Sequence, residues 1–174
     1  MELAEGNERV VIERVSPEID GGRFSAKSIA GDEVTVEADI FADGHDALSA
    51  RLLYRREDEM RWAETPMQLL TNDRWQGSFS ASEPGRYFYT VTAWVDSFQT
   101  WRQDLNKRIG AKQKDLPMYL FIGTGIMMEA AGRASGADGK LLHKWLDTLK
   151  SDRIEQKDKL KLVMSDEISK IMGK

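Results

Sequence analysis

Between residues 33 and 95 apolar side chains recur at every second position. In "EVTVEADIF" Val34, Val36, Ala38 and Ile40 alternate with Thr35, Glu37 and Asp39, as in a strand with one buried face. "ALSARLLYRR" repeats the pattern, with Leu48, Ala50, Leu52 and Tyr54 inward and Arg51 and Arg55 outward. In "GRYFYTVTAWV" Tyr87, Tyr89, Val91, Ala93 and Val95 share one face, and Phe88, Thr90, Thr92 and Trp94 the other. Shorter strands are predicted at 9–15, 63–69 and 74–79, and Pro66 confines the middle one to an edge or a bulge. Asp20-Gly21-Gly22, Gly31-Asp32, Asp43-Gly44, Asn72-Asp73 and Pro84-Gly85 supply the turns between them. Short strands at this spacing predict a β-sandwich of immunoglobulin type.

After residue 103 the period becomes helical. "KLLHKWLDTLK" places Leu141, Leu142, Trp145, Leu146 and Leu149 on one stripe. A helix is predicted from Leu116 to Ala134, although Gly123 and Gly125 inside it each cost about 1 kcal/mol. Leu160, Val163 and Met164 extend the apolar pattern, and Ser165 starts a last helix with Ile168, Ile171 and Met172 on its buried face. "RASGADGK" and "KSDRIEQKDK" read as polar spacers. The expected fold class is therefore mixed β and α, with a sandwich over 8–103 followed by a small helical bundle over 104–174. The bundle's methionine-rich faces have no closing element in the sequence, so a piece of a longer chain is expected.

Composition narrows the function classes. The 174 residues carry a net charge of −4, without the clustered basic face a nucleic-acid surface needs. Cysteine is absent, which excludes disulfides and thiolate metal sites. The start "MELAEGNERVV" lacks the basic and apolar regions of a signal peptide, and "MYLFIGTGIMM" is too short for a membrane span. A cytoplasmic protein with no membrane partner is expected.

The strand sequences also carry a family resemblance. "SPEIDGGRF", "EADIFADGHD" and "YTVTAWVDSFQTWRQDL" occur together, and in this combination the chain resembles the N-terminal region of the bacterial α-1,4-glucan:maltose-1-phosphate maltosyltransferases of the α-amylase superfamily. The resemblance is strong over 9–106 and looser over the helical remainder. It implies an immunoglobulin-like domain and an inserted helical bundle preceding a catalytic (β/α)₈ barrel. It further implies an enzyme that retains anomeric configuration and transfers maltosyl units from maltose 1-phosphate to α-1,4-glucans, using an Asp nucleophile and a Glu acid/base of the barrel. No residue here matches that catalytic pair, so this part is expected to be non-catalytic and to need no cofactor. The partners implied are the barrel of the same chain and a second copy in a homodimer, with α-glucan as an alternative ligand.

Several side-chain groups need weighing. Asp39, Asp43, His45 and Asp46 crowd into eight residues around Gly44. A calcium loop needs ligands at regular two-residue steps and a closing Glu, which this spacing lacks. The stretch is read as a turn, with Asp43 and His45, like Arg23 in "DGGRF", as candidate contacts to the barrel or a second subunit. Trp62, Trp75, Trp94 and Trp101 are candidate platforms on which a glucan could stack, because an indole ring covers the apolar face of a sugar, with packing in the sandwich or against the bundle as the alternative for Trp75 and Trp101. "GTG" at 123–125 lies in an apolar helical run without the strand-to-helix turn and cation of a phosphate loop, so it is read as a close-packing site between helices. Asp58-Glu59 and the charges of 151–161 read as solvated surface rather than paired catalytic carboxylates.

Overall fold

The computed structural model describes residues 10–173. Arg9, the first residue of the expected opening strand, lies outside them. Among the described residues the order is β1 (Val10–Ser16), β2 (Glu33–Ala42), β3 (Leu48–Arg56), β4 (Ala63–Pro66), β5 (Gln68–Thr71), β6 (Arg74–Ser80) and β7 (Tyr87–Val95). Then follow α1 (Ser97–Gly110), α2 (Leu116–Arg133), α3 (Gly136–Lys150), α4 (Gln156–Val163) and α5 (Asp166–Met172). Two compact units divide between Val95 and Asp96, eight residues before the change of period seen in the sequence.

The first unit is a sandwich of two antiparallel sheets, ordered β1-β2-β6-β5 and β4-β3-β7. Its core is built from the alternating inward positions, with Val36, Ala38 and Ile40 of β2 and Leu52 of β3 fully buried. Trp75 fills the space beside them and donates its indole N–H to the Ile40 carbonyl at 3.2 Å. Arg74 ties three strands together: it donates to Asp39 at 2.9 Å, to Glu37 at 3.1 Å and to the Arg14 carbonyl at 3.0 Å. The hydrogen bond to Asp39 is the leading reason its guanidinium is held above its ordinary pKa.

The stretch 63–69, expected as one strand, changes sheets instead. β4 pairs with β3, and β5 pairs with β6. The switch falls at Met67, which is buried and donates its backbone N–H to the Ala50 carbonyl at 2.9 Å. Across the core a Cβ on Gly77 would meet Met67 Cγ at 3.0 Å and Leu52 Cβ at 3.3 Å, a tight fit that favours glycine there. Pro66 stands on β4, the edge strand of its sheet, where its missing N–H breaks no ladder.

The second unit is a helical bundle with its own core, including Leu105, Met127, Leu142, Val163 and Ile168. α1 starts well before residue 103 because Asp96 caps it, accepting from the Gln99 backbone N–H at 2.9 Å. Two of the expected spacers are shorter than their composition predicts. Ser135 is the N-cap of α3, so residues 136–140 are helical. Glu155 is the N-cap of α4, so Gln156–Lys159 are helical too. Asp and Gly of "RASGADGK" lie in the first turn of α3, where Asp138 faces the favourable end of the helix dipole. Gly139 is buried there, and a Cβ on it would meet the Ala134 carbonyl oxygen at 3.0 Å. Ser165 caps α5 as expected, accepting from Ile168 N–H. At α2 the small-residue reading holds for one glycine of the pair. A Cβ on Gly123 would meet the Trp101 ring at 2.1 Å, whereas one on Gly125 would meet nothing within 4 Å.

Candidate functional site

Two surfaces stand out, one in each unit. On the sandwich it is the outer face of the β4-β3-β7 sheet. Pairing of Arg51 with Thr92 and of Arg55 with Phe88 puts the odd-numbered β3 side chains beside the outward side chains of β7. Trp62, just before β4, projects to the same side. The Arg55 guanidinium carbon lies 5.0 Å from the Trp62 ring centre and 5.2 Å from that of Phe88. At the other end of the strand Arg51 lies 5.7 Å from the Trp94 ring and pairs with Glu64 at 2.5 Å. The face therefore carries two aromatic–arginine stations, spaced by four residues of β3 or about 13 Å. Arg55 reaches the Glu59 carbonyl at 2.6 Å, while its buried Nε has no hydrogen-bond partner.

In the bundle the surface is the outer stripe of α2. Leu120, Gly123, Thr124, Met127 and Ala131 face the core. Met118, Phe121, Ile122 and Met128 lie on the other side and are exposed, Phe121 to 76%. With Gly125 they form a row at helical spacing. A helix that is apolar all round is one that expects cover on both sides.

The sequence candidates fall in different places. Trp62 and Trp94 share the outer sheet face, although an arginine already lies against one side of each ring. Trp75 and Trp101 are corrected as stacking platforms. Trp75 is 8% exposed in the sandwich core, and Trp101 is 5% exposed in the bundle core, with its N–H donated to the Tyr119 carbonyl at 2.8 Å. Rings of that size bury a large apolar area when they pack inside, which is the alternative reading of these two residues. Arg23 sits in the loop before β2, where its guanidinium carbon lies 5.6 Å from the Phe24 ring. Asp43 and His45 lie exposed in the β2–β3 turn, which follows the ten-residue β2. Gly44 takes φ +104 in that turn, and Asp39 is engaged by Arg74 and Arg14 rather than by its sequence neighbours. No group of three or more His, Asp or Glu able to hold a metal occurs among the described residues. No helix among them is long and apolar enough to cross a membrane.

The described residues thus form a β-sandwich followed by a helical bundle, each with an exposed aromatic or apolar surface. Residues 8–174 match the family described as "Alpha-1,4-glucan:maltose-1-phosphate maltosyltransferase, domain N/S", and the chain belongs to it. It is 50% identical over 145 residues to the α-1,4-glucan:maltose-1-phosphate maltosyltransferase of Chlorobaculum tepidum, covering 83% of this chain and 22% of that protein. The same-named protein of Myxococcus xanthus is 42% identical over 74% of this chain and 20% of its own length. That of Methylacidiphilum infernorum is 32% identical over 98% of this chain and 25% of its own length. The chain thus spans about a fifth to a quarter of the length of these relatives.

Proposed function

We propose that this chain is the non-catalytic N-terminal part of a maltosyltransferase that moves maltosyl units from maltose 1-phosphate onto α-1,4-glucans. Its own role is to hold two copies together and to support the catalytic barrel. The outer stripe of α2 carries this reading. Met118, Phe121, Ile122 and Met128 expose a contiguous apolar row on a helix whose opposite side is already buried. Covering one such side chain is worth about 1.5–3 kcal/mol, so a self-complementary patch of four supports association with a second copy. Sedimentation equilibrium of the 174-residue chain at about 10 µM, a range in which a dimer of micromolar Kd is half-formed or better, is expected to show a dimer. Phe121→Asp is expected to give a monomer with an unchanged circular dichroism spectrum. A wild-type monomer at that concentration would remove the dimerisation role and leave the barrel as the cover for the stripe.

A second reading is binding of an α-glucan, supported by Trp62 and Trp94 on the outer sheet face. Maltoheptaose at millimolar concentration is then expected to change the tryptophan fluorescence, and Trp62→Ala and Trp94→Ala to reduce that change. An unaltered spectrum would end this reading.

A further inference from the structure

Along β7 the side chains alternate between the core and the outer sheet face. Tyr87, Tyr89, Val91 and Ala93 pack against the sandwich core, and Phe88, Thr90, Thr92 and Trp94 take the other side. Phe88, Thr90 and Thr92 are exposed, and Trp94 is partly covered. The outer row thus carries a ring, two hydroxyls and a second ring over six residues of strand, about 20 Å. Trp62, 43% exposed, adds a ring at the Phe88 end through the arginine that both contact.

Each ring is held by an arginine that is itself held. Arg51, beside Trp94, has a side chain only 17% exposed and is paired with Glu64. Arg55 is fixed by the Glu59 carbonyl and by the Trp62 and Phe88 rings, with its Nε covered and without an acceptor. A covered donor left unpaired costs stability, and in return the guanidinium sets the position of two rings at once. Rings fixed beforehand lose little freedom when a ligand settles on them. The row itself is uncharged. Flat rings cover the apolar face of a pyranose, and threonine hydroxyls exchange hydrogen bonds with its rim. An extended peptide would pair with a sheet edge rather than lie on a sheet face. An anion would compete with Glu64 for Arg51. The face therefore fits a neutral, polyhydroxylated chain.

We propose that a single α-1,4-glucan chain lies along this row, stacking one glucosyl unit on Trp94 and another on Phe88 and Trp62, with Thr90 and Thr92 bonding the hydroxyls of the units between. This rests on the glucan reading above and adds to it the length of chain that the face selects. A chain of several units reaches both ends of the row, whereas a disaccharide is too short for about 20 Å of strand and engages one end. Joining two weak stations through one ligand raises affinity without any further kind of contact. The face is thereby a reader of polymer over disaccharide.

Titration calorimetry of the 174-residue chain with maltose and with maltoheptaose tests this. Maltoheptaose is expected to bind about tenfold or more tighter than maltose, beyond the few-fold gain that a longer chain draws from offering more registers. Trp94→Ala is expected to cut that preference to a few-fold, and Phe88→Ala together with Trp62→Ala to do the same from the opposite end. Thr90→Val together with Thr92→Val keeps the strand propensity and is expected to lower the preference by removing the hydroxyls between the rings. Circular dichroism checks that each variant is folded. A preference of only a few-fold in the unaltered chain, or a full preference retained in any folded variant, would overturn the inference and leave single-station glucan binding standing. Binding of neither sugar would end the glucan reading together with it.

Discussion

Two glycines two positions apart on one helix show how much a single side chain decides. Gly123 lies under the Trp101 ring, so close that an added methyl would sit 2.1 Å from it. Trp101 is fixed from both sides, because its N–H is donated to the Tyr119 carbonyl one turn earlier on α2. The ring cannot retreat without losing that bond and its contact with Phe98, whose ring centre is 5.5 Å away. Gly123→Ala is therefore expected to destabilise the bundle by about 2–4 kcal/mol, combining overpacking with a lost hydrogen bond. Gly125→Ala meets open space. It should stabilise the isolated helix by about 0.5–1 kcal/mol through reduced backbone entropy in the unfolded chain. Urea denaturation followed by helical circular dichroism separates the two variants. Equal effects would mean that the Trp101 contact is not the constraint described. "GTG" in the sequence pointed to close packing, but which glycine admits the indole depends on helix rotation, which only the partner helix fixes.

Helix starts are set by caps, and the most informative one lies at the junction of the two units. "DSFQ" at 96–99 has the spacing of a capping box, an acid followed three residues later by Gln. The Asp96 carboxylate accepts from the Gln99 N–H at 2.9 Å, and the Thr100 hydroxyl donates to the Asp96 carbonyl at 3.0 Å. Asp96→Ala is expected to cost about 1–2 kcal/mol and to fray the first turn of α1. Faster amide exchange at Phe98–Thr100 would report this, and unchanged exchange would assign the helix start to packing of Phe98 instead. This capping signal was present in the sequence, but the alternating strand period running up to Val95 masked it. The long strands β2, β3 and β7 and the helix α3 were legible because each carries a long unbroken period, and α2 because of its long apolar run. The exchange of sheets at Met67 was not, since four-residue strands are too short to show a period and the deciding contact is with Gly77 on another strand. The candidate platforms divided on the same ground. Trp62 and Trp94 stand on an outer face, whereas Trp75 and Trp101 are interior, and the partner sheet or helix determines which.

At the scale of the chain, burial separates into two clusters that share no residue. One centres on Val36, Ile40 and Leu52, the other on Leu105, Met127 and Leu142. Each unit therefore has its own source of cooperativity. A cavity made in one is expected to weaken that unit first. Leu105 is fully buried on α1, a helix whose only sequence link to the sandwich is the Val95–Asp96 step. Leu105→Ala removes a side chain whose truncation typically costs about 2–5 kcal/mol. Native-state hydrogen exchange is expected to show lowered protection across 97–173 while the slow amides of β2, β3 and β6 keep theirs. Uniform loss in both would show that the two cores unfold as one cooperative body. The distinction bears on function. A bundle that opens independently can expose or withdraw the Phe121 stripe without disturbing the sandwich face bearing Trp62 and Trp94. In a single cooperative body, association through α2 would instead stabilise the sandwich as well, by mass action on the folded state. Measured at low and high protein concentration, the exchange pattern of Leu105→Ala thus tests whether partner binding at one surface is felt at the other.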